Sequence, residues 1–245
     1  VPNMQDLSAR LHGCKVFSKL DLRKGYYQVP MRPSDILKTA VITPFGLWEF
    51  TRMPFGLRNA GQTFQRLMDR VGAGLDFVFI YLDDILVASP DEDSHYEHLQ
   101  QILQRLQDNG LILNLEKCEF GKESVDFLGH RITAAGAEPL LKHVEAVKEF
   151  GQPTDTKSLQ SFLGLVNFYR RFIKGAALIL KPLTDALKGG KKVQLTWSSE
   201  MAAAFQAAKE AVCSAVCLSH PDPAATLSLA VDASDTHVGA VLQQS

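Results

Sequence analysis

Two adjacent carboxylates, Asp83 and Asp84, interrupt an apolar run, with Phe77-Val78-Phe79-Ile80 before them and Ile85-Leu86-Val87-Ala88 after. Side by side in apolar surroundings, two like charges repel and lose hydration unless something positive sits between them. A divalent cation meets that need. Both flanks are rich in β-branched and aromatic residues, which predicts two short strands with the acids at or beside the turn. A purely structural two-residue turn more often uses Asn-Gly or Asp-Gly, because it needs positive φ. A solvated acidic turn is the competing reading of the pair alone. A third acid, Asp21, closes the strand-like pattern Phe17-Ser18-Lys19-Leu20-Asp21-Leu22. Three carboxylates at strand edges are a set able to hold two Mg²⁺ ions, or Mn²⁺, against a triphosphate. In-line phosphoryl transfer asks for little beyond such positioning.

The elements that must hold these acids follow from periodicity. A helix is expected from Met4 to Leu11, a strand from Val16 to Leu22, and a hairpin from Thr39–Thr43 and Leu47–Arg52 around the Pro44-Phe45-Gly46 turn. Phe64, Leu67, Met68 and Val71 recur at helical spacing from Asn59 to a stop at Gly72. A second helix has Ser94 as its expected cap, a stripe of Leu99, Ile102, Leu103 and Leu106, and an Asn109-Gly110 end. Leu111, Leu113 and Leu115 alternate as a half-buried strand, and Val125 to Thr133 reads as one extended piece. This order predicts an α+β layer architecture, a sheet covered by two helices. Beyond Gly136 the expectation is helical: Lys142–Phe150, Lys157–Lys174, Ala177–Leu187 and Ser199–Val216, with a Gly189-Gly190-Lys191-Lys192 linker and a last strand at Leu227–Asp232.

At 245 residues and 46% hydrophobic, the chain can build a substantial core and more than one folding unit. No apolar stretch reaches membrane-spanning length and no signal peptide opens the sequence, which predicts an intracellular, non-membrane protein. A start at Val1 without Met suggests a piece of a longer chain. Cys14, Cys118, Cys213 and Cys217 fit no zinc spacing and read as buried reduced thiols. His95 and His98 read as surface residues. The net charge of −1 hides a segregation that bears on partners. Residues 76–126 hold twelve Asp/Glu against three Lys/Arg, whereas 157–192 hold eight Lys/Arg against Asp185 alone, an acidic body and a basic arm suited to phosphates.

Four long motifs carry a resemblance to a known family. They are Phe17-Ser18-Lys19-Leu20-Asp21-Leu22-Arg23-Lys24-Gly25-Tyr26-Tyr27-Gln28-Val29; Met53-Pro54-Phe55-Gly56-Leu57-Arg58-Asn59-Ala60 with Thr63-Phe64-Gln65; Tyr81-Leu82-Asp83-Asp84; and Phe127-Leu128-Gly129-His130. In this order they resemble the reverse transcriptases of gypsy-like LTR retrotransposons. The resemblance implies a right-hand polymerase fold with partial fingers and an antiparallel palm over 1–134, a helical thumb over 135–192, and a truncated RNase H-like α/β start over 193–245.

It also implies roles. Asp21, Asp83 and Asp84 would be catalytic metal ligands, with the Leu22 carbonyl completing one shell. Tyr26 would be a steric gate beneath the sugar, Phe55 and Gly56 would line the nucleotide pocket, and Lys117 would stand near the incoming phosphates. Gln65 and Tyr81 would lie near the nucleic acid, and Leu128, Gly129 and His130 would grip the primer end. In the basic arm Gln160, Gly164 and Phe168 recur at i,i+4 on one helix face, suited to a duplex minor groove. A helix-packing glycine with a core Phe is the alternative. Arg170, Arg171 and Lys174 would meet phosphates. Asp232, in Leu229-Ala230-Val231-Asp232-Ala233-Ser234-Asp235, resembles the first acid of an RNase H site. The family has Ala-Pro or Ala-Ala where this chain has Ala60-Gly61, a change expected to loosen the helix start.

The implied activity is RNA-directed DNA polymerisation from dNTPs on an RNA or DNA template with a primer. The implied setting is cytoplasmic, within virus-like particles, or nuclear. A catalytically inactive nucleic-acid-binding protein derived from a retroelement, and RNase H as the main activity, are the alternative readings. The first of these follows from fingers residues expected upstream of Val1.

Overall fold

The structure, a computed structural model, describes residues 7–8, 10–189, 194–215, 217–233 and 238–244. It divides into two compact units, residues 1–127 with 220–245, and residues 128–219.

The first unit is built on a four-stranded sheet in the order β4-β5-β1-β6. Its strands are β1 (Val16–Asp21), β4 (Val78–Tyr81), β5 (Asp84–Ser89) and β6 (Glu119–Lys122). All three pairings are antiparallel. The central strand β5 is buried from Ile85 to Ser89, which is why its sequence runs continuously apolar instead of alternating. On one face Leu20, Ile85 and Val87 pack with Phe64, Met68 and Val71 of α1 (Ala60–Val71) and with Ile102 and Leu106 of α2 (Glu92–Asp108). Phe79 meets the edge of Phe127, the last residue of β7 (Ser124–Phe127), at 6.1 Å. The two-stranded ribbons β2–β3 (Val41–Thr43, Gly46–Trp48) and β10–β11 (Leu227–Ala233, Val238–Gln244) also belong to this unit.

Local chemistry sets the helix ends. The helix α1 starts at Ala60 and stops at Gly72 as expected, and Gly61 does not delay its start. For α2 the cap is Asp91, whose carboxylate accepts the Ser94 N–H at 2.8 Å; Ser94 is the third residue of the helix and not its cap. The reading of His95 and His98 as surface residues is wrong. His95 is buried: its Nε2 lies 2.6 Å from Ser18 Oγ and its Nδ1 2.7 Å from Ser89 Oγ. Ser89 Oγ also meets His98 Nδ1 at 2.8 Å, and His98 stacks on Phe77 at 3.7 Å. One proton arrangement satisfies the chain from Ser18 hydroxyl to His95, His95 to Ser89, and Ser89 hydroxyl to His98, so a polar network sits where a helical stripe meets β1 and β5.

Two expected strands take other forms. Leu113 makes only an isolated bridge to Leu22, and Leu115–Lys117 turns as a short 3-10 segment with Leu115 exposed, so the alternation reflects a loop crossing the sheet end. The extended piece from Val125 to Thr133 is broken because Leu128 and Gly129 adopt φ of 45° and 81°. Of the expected first helix, Leu7, Ser8 and Arg10 are helical, Leu11 is buried but no longer helical, and the remainder lies outside the described residues.

The second unit opens with the hairpin β8–β9 (His130–Thr133, Gly136–Pro139) and continues through α3 (Leu141–Lys148), α4 (Thr156–Phe168), α5 (Ala176–Asp185) and α6 (Ser199–Cys213). A capping box between Asp155 and Ser158 starts α4, which ends at Phe168; a 3-10 turn, Arg170–Phe172, replaces the rest of the expected Lys157–Lys174 helix. Phe162 of α4 and Phe205 of α6 meet at 4.5 Å, and Leu159, Val166, Leu183, Ala208 and Val212 complete a shared core. Residues of α6 thus share one core with the preceding helices. Lys191, Lys192 and Val216 lie outside the described residues.

All four cysteines are free; Cys14 is buried and Cys118 half-buried, but Cys213 and Cys217 are exposed, against the expectation of four buried thiols. Among the described residues no helix is long and apolar enough to cross a membrane.

Candidate active site

The β4–β5 hairpin brings the acids together. Tyr81 pairs with Asp84, so Leu82 and Asp83 are the two residues of its turn. Asp84 is in turn the cross-strand partner of Asp21 on β1, which puts these two side chains on one side of the sheet. Asp83 is exposed, and Asp21 and Asp84 are half-buried. Burial raises the Asp84 carboxyl above the ordinary carboxylate range; Lys19 opposes the shift, and the charges of Asp83 and Asp21 add to it. Lys117 faces Asp21, with its Nζ 3.9 Å from Asp21 Oδ1.

These residues suit a hard divalent cation: all three offer carboxylate oxygens, and their mutual repulsion is what such an ion relieves. Among the described residues, no three acids, histidines or cysteines are already closed into a ligand cage. Leu22 is buried beside them, and the neighbouring chain is held by the Asp21 carbonyl, which accepts from Asn114 N–H, and by Arg23 N–H, which donates to Ile112. Neither bond uses the Leu22 carbonyl.

Aromatic rings form the floor. Tyr26, in the 3-10 turn Gly25–Gln28, packs against Phe55 at 5.4 Å and edge-on to Phe64 at 5.3 Å. Phe55 is 68% exposed although its ring also meets Tyr27 edge-on at 5.5 Å, and Gly56 beside it has φ 91°, a backbone conformation suited to glycine. Gly25 is a site residue that the sequence reading passed over. A Cβ there would lie 3.0 Å from the Phe64 ring and 3.2 Å from Asp83 Cβ, so any other residue would press on the acid-bearing turn or on the aromatic floor. Its place between Lys24 and Tyr26 in the first long motif was the available signal. Cys118 is a second such residue: its sulfur accepts the Asp21 N–H at 3.4 Å.

Gln65 lies on the expected helix with its side chain turned inward. Its side chain is buried and bonded to the acid-bearing hairpin, with Oε1 accepting Leu82 N–H at 2.8 Å and Nε2 donating to the Ile80 carbonyl at 3.2 Å. It has no reach left for a template. Tyr81, half-buried on β4, stands beside the same turn.

In the second unit, Leu128 and Gly129 form the turn before β8, and Tyr169 Oη donates to the Gly129 carbonyl at 2.7 Å. His130 is a correction. Its ring is buried between Phe168 at 5.2 Å and Phe172 at 5.5 Å, and its Nδ1–H donates to the Leu128 carbonyl at 2.9 Å. It props the turn from within and offers no surface to a primer. Burial, with a smaller contribution from Arg171, lowers its pKa to about 4. Arg171 lies over the Phe172 ring at 4.8 Å. On α4, Gln160 and Gly164 are exposed and Phe168 is 51% exposed, while nothing lies within 4 Å of a Cβ built on Gly164. Among the described residues Gly164 therefore packs against nothing, while the half-exposed Phe168 ring also stacks on His130. Arg170 and Lys174 are exposed nearby in sequence. Asp232 is exposed on β10 opposite Gly239; Ser234 and Asp235 lie outside the described residues.

Comparison with known proteins agrees with this geometry. Residues 1–132 match the family model described as reverse transcriptase (RNA-dependent DNA polymerase), and residues 197–245 match an RNase H-like domain found in reverse transcriptase. The whole chain is 39% identical to a retrovirus-related Pol polyprotein from transposon 297 of Drosophila melanogaster, and 35% identical to the transposon Tf2-3 polyprotein of Schizosaccharomyces pombe. It spans 23% and 18% of those two proteins. Its fold matches a foamy viral protease-reverse transcriptase solved with double-stranded DNA, with a TM-score of 0.89 at 24% identity over 100% of this chain and 44% of that one. A foamy viral protease-reverse transcriptase solved with an RNA/DNA hybrid gives 0.88 at 24% identity, over 99% of this chain and 33% of that one. With a hairpin that joins two acids to a third across the sheet, and with a family model matched over more than half its length, this chain belongs to the reverse transcriptase (RNA-dependent DNA polymerase) family.

Proposed function

We propose that this chain carries the polymerase centre of a retrotransposon reverse transcriptase, joining dNTPs to a primer 3′-hydroxyl on an RNA or DNA template. The observation that carries the reading is the cross-strand pairing of Asp21 with Asp84 next to Asp83 in the turn. Asp21, Asp83 and Asp84 would hold two Mg²⁺ or Mn²⁺ ions, with the Leu22 carbonyl beside them. Bound there, the ions would lower the pKa of the attacking hydroxyl and neutralise charge on the leaving pyrophosphate.

The chain's own residues supply the positioning. Tyr26, backed by Phe55 and Phe64, presents a ring edge that excludes a ribose 2′-hydroxyl, and Gly56 lets the nucleotide approach the backbone. Lys117, already drawn to Asp21, is free to swing toward phosphate because its side chain is 66% exposed. The exposed face of Gln160, Gly164 and Phe168, with Arg170, is read as the surface that meets the template–primer duplex. Functionally, residues 1–134 form the partial fingers and palm, 135–192 the thumb and 193–245 the start of the RNase H-like part, with Asp232 as its first acid. Reduced thiols agree with an intracellular setting, cytoplasmic or nuclear. Primer extension on an RNA template with Mg²⁺ and dNTPs tests the reading, and loss of that extension in Asp83→Asn assigns it to this centre.

A further inference from the structure

The turn that carries Asp83 is strained, and one buried side chain holds it. Leu82 adopts φ 54°, the left-handed region, which a non-glycine residue keeps only where its surroundings over-determine it. In a two-residue hairpin turn the amide of the first turn residue has no partner in the ladder, so its N–H needs one from elsewhere. Gln65 supplies it at 2.8 Å, reaching from α1. The other end of the same amide donates to Ile80 O at 3.2 Å and to Asp69 Oδ1 at 2.9 Å, one helical turn along. Because Asp69 and the Ile80 carbonyl can only accept and Leu82 N–H can only donate, the network allows a single orientation of the amide. Gln65 is 4% exposed, so water cannot stand in for it.

We infer that Gln65 is a positioning residue: oriented by Asp69, it clamps the Leu82 amide and so fixes Asp83 and Asp84 relative to Asp21. The clamp touches neither substrate nor metal. It acts through the backbone of the acid-bearing turn, and its kinetic consequence rests on the polymerase reading given above.

The test uses the full chain. Gln65→Leu keeps the volume but leaves Leu82 N–H and Ile80 C=O unpaired. At saturating dNTP and template–primer its kcat is expected to fall about 10- to 100-fold, with KM for dNTP and Kd for the duplex within about 3-fold of the parent. Gln65→Glu still accepts from Leu82 N–H and can donate to Asp69 only when protonated, so it is expected to recover part of that loss, more at low pH. Val71→Ala, a core change on the same helix that does not touch the turn, controls for stability alone and is expected to lower Tm without lowering kcat at a permissive temperature. Amide hydrogen exchange at residues 80–84 reads the clamp without activity: faster in Gln65→Leu, nearer the parent in Gln65→Glu. If the parent extends no primer, the polymerase reading fails while exchange still decides the clamp. Unchanged exchange in Gln65→Leu overturns the inference, as does a weaker duplex Kd with kcat intact, the signature of a template contact. Should Gln65→Leu not fold, Asp69→Ala and Gln65→Glu carry the same comparison.

Discussion

Asp21 and Asp84 are direct partners across the β1–β5 ladder, the final pair of a register that runs from Val16 with Ser89. Like charges placed opposite each other in a sheet are destabilising, and burial of Asp84 adds to the cost. A fold under selection for stability alone would not keep that pair. Asp84→Asn is therefore expected to leave stability unchanged or raise it by up to about 1 kcal/mol, measured by denaturant unfolding, while abolishing primer extension.

Gly25 makes the opposite trade. Gly25→Ala puts a methyl group 3.2 Å from Asp83 Cβ and 3.0 Å from the Phe64 ring, so the acid-bearing turn or the aromatic floor must move. Activity is expected to fall at least 10-fold for a stability loss of about 1–2 kcal/mol. Steady-state kinetics beside thermal unfolding checks the ratio.

Gly164 lies in open space on an exposed helix face. Gly164→Ala is expected to stabilise the free chain by about 0.5–1 kcal/mol through helix propensity. If this face meets the duplex minor groove, the added methyl group also weakens template–primer affinity several-fold. A higher Tm together with a weaker duplex Kd is the expected result, and unchanged Kd removes the groove contact.

His130 gives a pH signature. Its pKa falls from 6.5 to about 4 on folding, so between those values the unfolded chain binds the extra proton. Stability therefore rises with pH through this window: the contribution is complete above about 6.5 and is lost on acidification toward 4, for about 3 kcal/mol. His130→Phe, which keeps the stack on Phe168 and Phe172, is expected to flatten that part of the stability–pH curve. Unfolding free energies at pH 4.5, 5.5 and 7 measure it.

Much of this was legible in the chain. The apolar flanks of Asp83-Asp84 specified a hairpin, and the spacing of Phe64, Met68 and Val71 specified α1, because both patterns are local and each element buries one face. What escaped depended on distant partners. Nothing in the local pattern around His95 announces Ser18 and Ser89, which reach it from β1 and β5. His130 sat in a motif that suggested a ligand contact, yet three aromatic rings of a later segment enclose it. Gln65 looked like a polar residue free to meet a template, but its partner is a backbone amide 17 residues away. The helix Ser199–Cys213 was visible as a helix but not as part of the preceding core, since amphipathic periodicity gives a face and not its partner.

The most direct test of the polymerase centre is single-nucleotide primer extension on an RNA template with Mg²⁺, comparing the parent chain with Asp21→Asn, Asp83→Asn and Asp84→Asn. The expected result is extension by the parent and a loss of at least about 1,000-fold in each folded variant. Extension that survives any one of the three substitutions, or a folded parent chain that extends nothing, contradicts it.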